Sequence, residues 1–217
     1  MIAAPPDDAT LTDTGLEPAA GGRVLLLACG ALAHEIVDLI RANGWTHLDL
    51  ACLPAILHNS PEKIPAAVAE AVARHRQDYA QIHLVYADCG TGGQLHDLCN
   101  SMGIEMVKGP HCYAFFEGVS DFVARAETEF TAFYLTDFLV RQFDAFVWRP
   151  LGLDRHPELR DMYFGHYEKL VYQAQTDDPA LDARARDCAA RLGLAYERRF
   201  TGYGDLGRQL ADWAERS

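Results

Sequence analysis

The sequence contains no run approaching the ~20 consecutive apolar residues that a membrane-spanning helix requires, so no membrane partner is expected. Basic residues are scarce: 19 Lys+Arg stand against 31 Asp+Glu, giving a net charge of −12. Neutralising phosphates needs the opposite balance, which argues against nucleic acid and anionic membrane surfaces as partners. Residues 1–22 show neither the cationic stretch nor the apolar core of a signal peptide, and their Ala, Pro, Asp and Thr content predicts a disordered tail. A cytoplasmic location is the expectation, and there thiols stay reduced. The chain has no paired CxxC motif, no P-loop, no GxSxG elbow and no GxGxxG after its first apolar run. Internal repeats and low-complexity linkers are also lacking.

What is present is an ordinary globular composition. The 217 residues are 49% hydrophobic and 23% charged. A chain of this length buries roughly 70% of its unfolded surface and needs no disulfide or metal to fold. Residues 23–217 are expected to form a single α/β domain. Residues 23–28 (RVLLLA) read as a first strand, followed by a helix that stops at Gly44, a residue tolerant of left-handed backbone. Residues 46–53 make a second strand. A helix over 62–76 follows, with Ser60 as its N-cap and Pro61 at the first turn. Residues 81–87 (QIHLVYA) are the third strand, 104–107 a short fourth, 194–200 a fifth, and 204–216 a closing helix. Strands alternating with helices predict a Rossmann-like, three-layer α/β fold around a parallel sheet of about five strands. Residues 131–192 read as a helical insertion before the last strand, able to cap the sheet edge or to pack a homodimer.

Right-handed crossovers put every strand's carboxyl end at one edge, where such folds bind ligands. Cys29, Cys52, Cys89 and Cys112 all fall at or near strand ends. In the strand order 2-1-3-4-5, Cys29, Cys89 and Cys112 converge on one crevice; in the order 3-2-1-4-5, Cys89 lies further off. These three cysteines, with His58 and His111 on the same rim, predict a metal site. Zinc with one open position and an iron–sulfur cluster with one open corner both suit such a donor set. Cys99 and Cys188 sit within amphipathic helices and read as core.

The second signal is Asp88-Cys89-Gly90-Thr91-Gly92-Gly93. Glycines between a strand and a helix let backbone amides approach an anion, and the helix start adds partial positive charge. The string is similar to the D-x-G-x-G loop with which Rossmann-type methyltransferases hold S-adenosylmethionine, although it follows the third strand and the fourth ends without an acidic residue. Gly30, Asp88, Gly90, Thr91, Gly92 and Gly93 are therefore the candidate cofactor-binding positions. Glu35, His58, His111 and Tyr113 are the candidate acid–base groups. A plain helix-dipole role for Glu35 and a plain tight turn for the glycines are the competing readings.

The strings ACGALAHE, CLPAILHNSPEKI, YADCGTGG, GPHCYAFFEG and FYLTDFLVRQFD together resemble an uncharacterised family, domain of unknown function sixteen thirty-eight. The resemblance runs from about residue 23 to 175 and onward to about 213. It implies a neighbourhood of corrinoid-dependent methyltransferases, hence one-carbon or methylamine metabolism and a corrinoid or methyltransferase protein as partner. The expectation is a metalloprotein enzyme acting on a small-molecule substrate. An S-adenosylmethionine-dependent methyltransferase and a non-catalytic accessory protein delivering a metal or cofactor are the alternatives.

Overall fold

The computed structural model describes residues 2–19, 21–126 and 128–217. The chain divides into two compact units, Met1–Cys112 with Asp205–Ser217, and Tyr113–Gly204. The first half of the chain carries α1 (Asp8–Asp13), β1 (Val24–Cys29), α2 (Ala33–Asn43), β2 (Leu48–Leu53), α3 (Ile64–His75), β3 (Gln81–Val85), α4 (Gln94–Met102) and β4 (Glu105–Met106). The second half carries α5 (Cys112–Glu117), α6 (Val119–Ala126), β5 (Ala132–Thr136), α7 (Asp137–Arg141), α8 (Arg160–Phe164), β6 (Lys169–Ala174), α9 (Pro179–Leu192), β7 (Ala195–Phe200) and α10 (Gly204–Arg216). The fold is α/β, Rossmann-like and three-layered, with every strand pair in its sheets parallel. Among the described residues, no helix is long and apolar enough to cross a membrane.

The first unit holds a sheet in the order β2-β1-β3-β4. This is the strand order that makes the first, third and fourth strands neighbours. All six residues of β1 are buried, as a central parallel strand covered on both faces requires. Its register pairs Val24 with Leu48 on one side and with Gln81 on the other, so Cys29 and Leu53 finish level at the carboxyl edge. Helix α2 ends where expected, at Gly44 with φ 65°, and α4 ends at Gly103 with φ 67°. Helix α3 begins later than expected, after a 3-10 turn over Pro61–Lys63, and the Ser60 side chain caps nothing.

Two expectations about chain organisation change. The segment read as a disordered tail contains α1, whose Leu11 is fully buried, and Leu16 pairs antiparallel with Cys52 beside β2. Asp49 secures the segment by accepting from Ala19 N at 3.1 Å and Gly21 N at 3.2 Å. The stretch 131–192, read as a helical insertion, carries β5 and β6, which join β7 in a second parallel sheet ordered β5-β6-β7. Among the described residues there are therefore seven strands in two sheets rather than five in one. Apolar runs as short as AFYLT and KLVYQA fit a buried strand and a helix equally well, so periodicity does not separate them. Thr136 marks the change of period: its Oγ1 accepts from Leu139 N at 3.4 Å and caps α7. The second unit's core gathers Leu135, Val140, Phe143, Leu170 and Tyr172 with Ala185, Cys188 and Leu192 of α9.

Candidate active site

The site lies at the carboxyl edge of the first unit's sheet, built from the ends of β1 and β3 and the loop after β2. Cys29 is the last residue of β1 and is 3% exposed. Its Sγ accepts from Ala31 N at 3.4 Å, opening the 3-10 turn Gly30–Leu32 that leads into α2. Burial pushes the Cys29 thiol up to about 12, and the charge of Glu35 adds to this, so it stays a neutral thiol at physiological pH. Cys52, one residue before the end of β2, is raised for the same reason, with the charges of Cys29 and Glu35 adding to burial.

His58 follows β2 in a 3-10 turn, Ala55–Asn59. Its Nδ1 lies 3.3 Å from the Ala55 carbonyl and 3.5 Å from Cys29 Sγ. A carbonyl only accepts, so Nδ1 carries a hydrogen and Nε2 is the nitrogen free to exchange a proton. Burial alone would lower the His58 imidazole, but a hydrogen bond and the negative charge of Cys89, with the Ala55 carbonyl, hold it above its ordinary value. Cys89 and His58 are thus a thiol–imidazole pair.

Cys89 is the one non-glycine residue with positive φ (49°) among those described. Such backbone costs energy and concentrates at functional sites. The turn holds it there: Cys89 N donates to Pro110 O at 3.1 Å and Asp88 N to Gly109 O at 3.2 Å, strapping the loop after β3 to the loop after β4. That strap brings up His111, which burial lowers while Asp88 raises it and His58 lowers it further. Tyr86, between β3 and Cys89, is 1% exposed and stacks on His58 with ring centroids 6.2 Å apart and planes 13° apart.

The glycine loop takes a different form from the expected anion cradle. The Asp88 carboxylate accepts from Thr91 Oγ1 at 2.8 Å, Gly93 N at 2.7 Å and Gly92 N at 3.2 Å. Two of the amides expected to meet a cofactor are therefore given to the loop's own aspartate. Gly30 allows a close approach within the chain: a Cβ there would meet the Leu11 carbonyl of α1 at 2.3 Å. Gly30 admits the N-terminal helix.

The expected metal donors come together only in part. Among the described residues no three His, Cys, Asp or Glu side chains gather as a metal ion would need. Cys112 begins α5 and does not join Cys29 and Cys89 in such a group. Glu35 is 4% exposed in the first turn of α2, where its charge bears on Cys29 and Cys52. Tyr113 belongs to the second unit and packs against Tyr134 at 5.7 Å between ring centroids. Glu117, four residues on in the same helix, accepts from Gln173 Nε2 at 2.8 Å and from Arg199 at 3.2 Å. Cys99, against Met106 at 4.0 Å, and Cys188 are core, as expected. Tyr86 is the residue that sequence reasoning passed over, because an aromatic finishing an apolar run reads as core. Its place three residues before Cys89, at the mouth of the glycine loop, was the available signal.

The family model described as "Protein of unknown function (DUF1638)" matches residues 52–210. No curated protein and no solved structure matches the chain.

Proposed function

The chain belongs to the DUF1638 family, and on that premise we propose an enzyme that transforms a small molecule through a cysteine–histidine pair, with Cys89 as nucleophile and His58 as its proton acceptor. The observation that carries this reading is the joint state of the two residues: Cys89 sits in left-handed backbone in the loop after β3, and its hydrogen bond and charge hold a buried His58 above its ordinary value. A thiol beside a proton-accepting imidazole is the arrangement of an activated nucleophile. The site's position at the carboxyl edge of a parallel sheet supports the same reading. The test is reactivity with methyl methanethiosulfonate at pH 7, located by peptide mass mapping. Cys89 is expected to react at least tenfold faster than free glutathione; a rate equal to glutathione rejects the pair.

The metal-dependent enzyme is the second reading, and one distance favours it. The 3.5 Å from Cys29 Sγ to His58 Nδ1 is about the edge of a tetrahedral zinc site with bonds near 2.3 and 2.05 Å, and zinc would have to displace the Nδ1 hydrogen that now faces the Ala55 carbonyl. In that version His58 would take the place expected for Cys112. Zinc titration of Cys29→Ser, His58→Gln and Cys112→Ser proteins separates the two donor sets. An iron–sulfur cluster would use thiols alone and would colour the protein. S-adenosylmethionine has less support, since the Asp88 loop is closed on itself. Cytoplasmic one-carbon metabolism with a corrinoid protein partner, or accessory delivery of a cofactor, rests on resemblance alone.

A further inference from the structure

We infer that the substrate of this site is a small carbonyl compound whose oxygen is received by the Tyr86 hydroxyl while Cys89 adds to its carbon. The inference rests on the cysteine–histidine reading and names the substrate class for it. Its basis is the state of the Tyr86 hydroxyl. Tyr86 is 1% exposed, and its Oη meets no hydrogen-bond partner. Buried hydroxyls are almost always paired, and one left unmet at a site is what a ligand acceptor would satisfy. The groups whose charges bear on this hydroxyl are Cys29, Cys89 and Cys52. Among the described residues, the Cys29 thiol is the one group close enough to interact with the hydroxyl as a weak hydrogen-bond partner, and the pair does not reach full hydrogen-bond geometry. Sulfur is in any case a weak acceptor. The donor therefore has at most a sulfur beside it and lacks an oxygen.

Burial raises the Tyr86 phenol well above its usual range, so it stays a donor at physiological pH. Its ring lies parallel to His58, the partner of Cys89, so the tyrosine and the nucleophile bear on the same imidazole. A hydrogen-bond donor aimed at the oxygen of a carbonyl, next to a thiolate, is the arrangement that stabilises charge developing on that oxygen.

The step balances without a further reactant. Cys89 first gives its proton to His58. The thiolate sulfur then forms a bond to the carbonyl carbon, the C=O π bond breaks, and its electron pair moves onto the oxygen under the Tyr86 hydroxyl. His58 returns the proton to that oxygen. With an aldehyde the product is a hemithioacetal, and nothing is oxidised or reduced.

The experiment uses the full chain with two probes. Carbon-13-labelled acetaldehyde is titrated by NMR, where addition moves the carbonyl resonance into the sp3 region. Methyl methanethiosulfonate, which has no carbonyl, reports thiol reactivity alone. An adduct is expected in the native protein and lost in Cys89→Ser. Tyr86→Phe, with circular dichroism unchanged, is expected to weaken acetaldehyde addition at least tenfold more than it slows the thiosulfonate reaction. If Tyr86→Phe alters the fold, 3-fluorotyrosine incorporated in the native chain replaces it: the Tyr86 fluorine resonance must move on adding acetaldehyde and stay still in Cys89→Ser. A reactive Cys89 that forms no adduct, or one whose adduct ignores Tyr86, overturns the carbonyl inference and leaves the cysteine–histidine pair standing. A Cys89 no faster than glutathione with thiosulfonate overturns both.

Discussion

Cys29 Sγ lies 3.5 Å from His58 Nδ1, while the charge that raises the same imidazole comes from Cys89. One ring thus faces two sulfurs. Burial holds Cys29 up at about 12, and only its thiolate would be nucleophilic. Alkylation of the native protein at pH 7, followed by peptide mapping, is expected to label Cys89 and to spare Cys29 and Cys52 until denaturant is added. Labelling of Cys29 at a rate similar to that of Cys89 would contradict the buried, neutral state assigned to it.

Replacing His58 with glutamine removes the proton acceptor and keeps a polar side chain. Since the folded state holds His58 above its ordinary 6.5, its contribution to stability is complete below that pH and fades as pH rises through the raised value. The native protein is expected to alkylate at Cys89 about tenfold faster than His58→Gln at pH 7. The difference narrows toward pH 9, where an ordinary thiol near 8.5 ionises without help. A constant ratio across that range would show that His58 acts only through packing.

Asp88 organises the loop that presents Cys89. Burial raises its carboxyl, but the Gly93 amide, the Thr91 hydroxyl and the Gly92 amide together bring it below its ordinary value. Asp88→Ala is expected to cost about 1–2 kcal/mol in urea unfolding, from three lost hydrogen bonds that solvent partly replaces. Cys89 should also lose its left-handed turn, so thiosulfonate reactivity falls with stability. A carboxyl lowered in the folded state stabilises above its unfolded value near 3.9, and this contribution disappears as pH falls. The Asp88→Ala protein should therefore lose less stability than the native one between pH 5 and pH 2.

How much of this was legible follows from particular residues. The β1 run and the glycine-bounded helix after it were readable because a fully buried parallel strand is continuously apolar and Gly44 can take φ 65°. Cys29, His58 and Cys89 were placed on one edge by the right-handedness of the crossovers, whichever the strand order. The role of Asp88 was hidden because glycine-rich turns that bind a ligand and those that bind their own aspartate look alike in sequence. Gly30 was misleading for a similar reason: the close approach it allows is to Leu11, which lies in a segment whose composition resembles a tail. The second sheet was missed because β5 passes into α7 at Thr136 with no glycine or proline to mark the boundary.

His83 and Trp213 stack with ring centroids 4.5 Å apart, and both ring nitrogens of His83 are buried without a hydrogen-bond partner. Burial lowers the His83 imidazole, Arg216 reinforces this, and Glu105 and Asp212 oppose it. A histidine lowered in the folded state stabilises above its unfolded value near 6.5, and the contribution is lost as pH falls below it. Thermal unfolding of the native protein should shift down between pH 7 and pH 5. His83→Phe keeps the stack on Trp213 without the titration, so its profile should be flatter over the same interval. A steeper profile in the variant would show that His83 gains from protonation.

The second unit offers a test of its own charge network. Arg199, with a side chain 14% exposed, binds Glu129 at 2.6 Å, Glu197 at 2.6 Å and Glu117 at 3.2 Å. Lys169 binds Glu129 at 3.1 Å and Glu197 at 2.6 Å, and Arg125 binds Glu117. Three carboxylates thus share three cations across one face of the β5-β6-β7 sheet. Arg199→Met keeps the length of the stem and removes the charge that meets all three acids. Breaking one partner of a buried set leaves uncompensated charge, so a loss of about 3 kcal/mol is expected in urea unfolding. The pH profile separates this from lost packing. Arg199 is the largest cause holding Glu129 at about 2, and such a depressed carboxyl stabilises above its unfolded value near 4.3 and fails as pH falls. The native protein should therefore lose stability steeply from pH 4.5 to pH 2, and Arg199→Met should lose less over that span. Parallel profiles, displaced by a constant amount, would assign the cost to packing of the arginine stem instead.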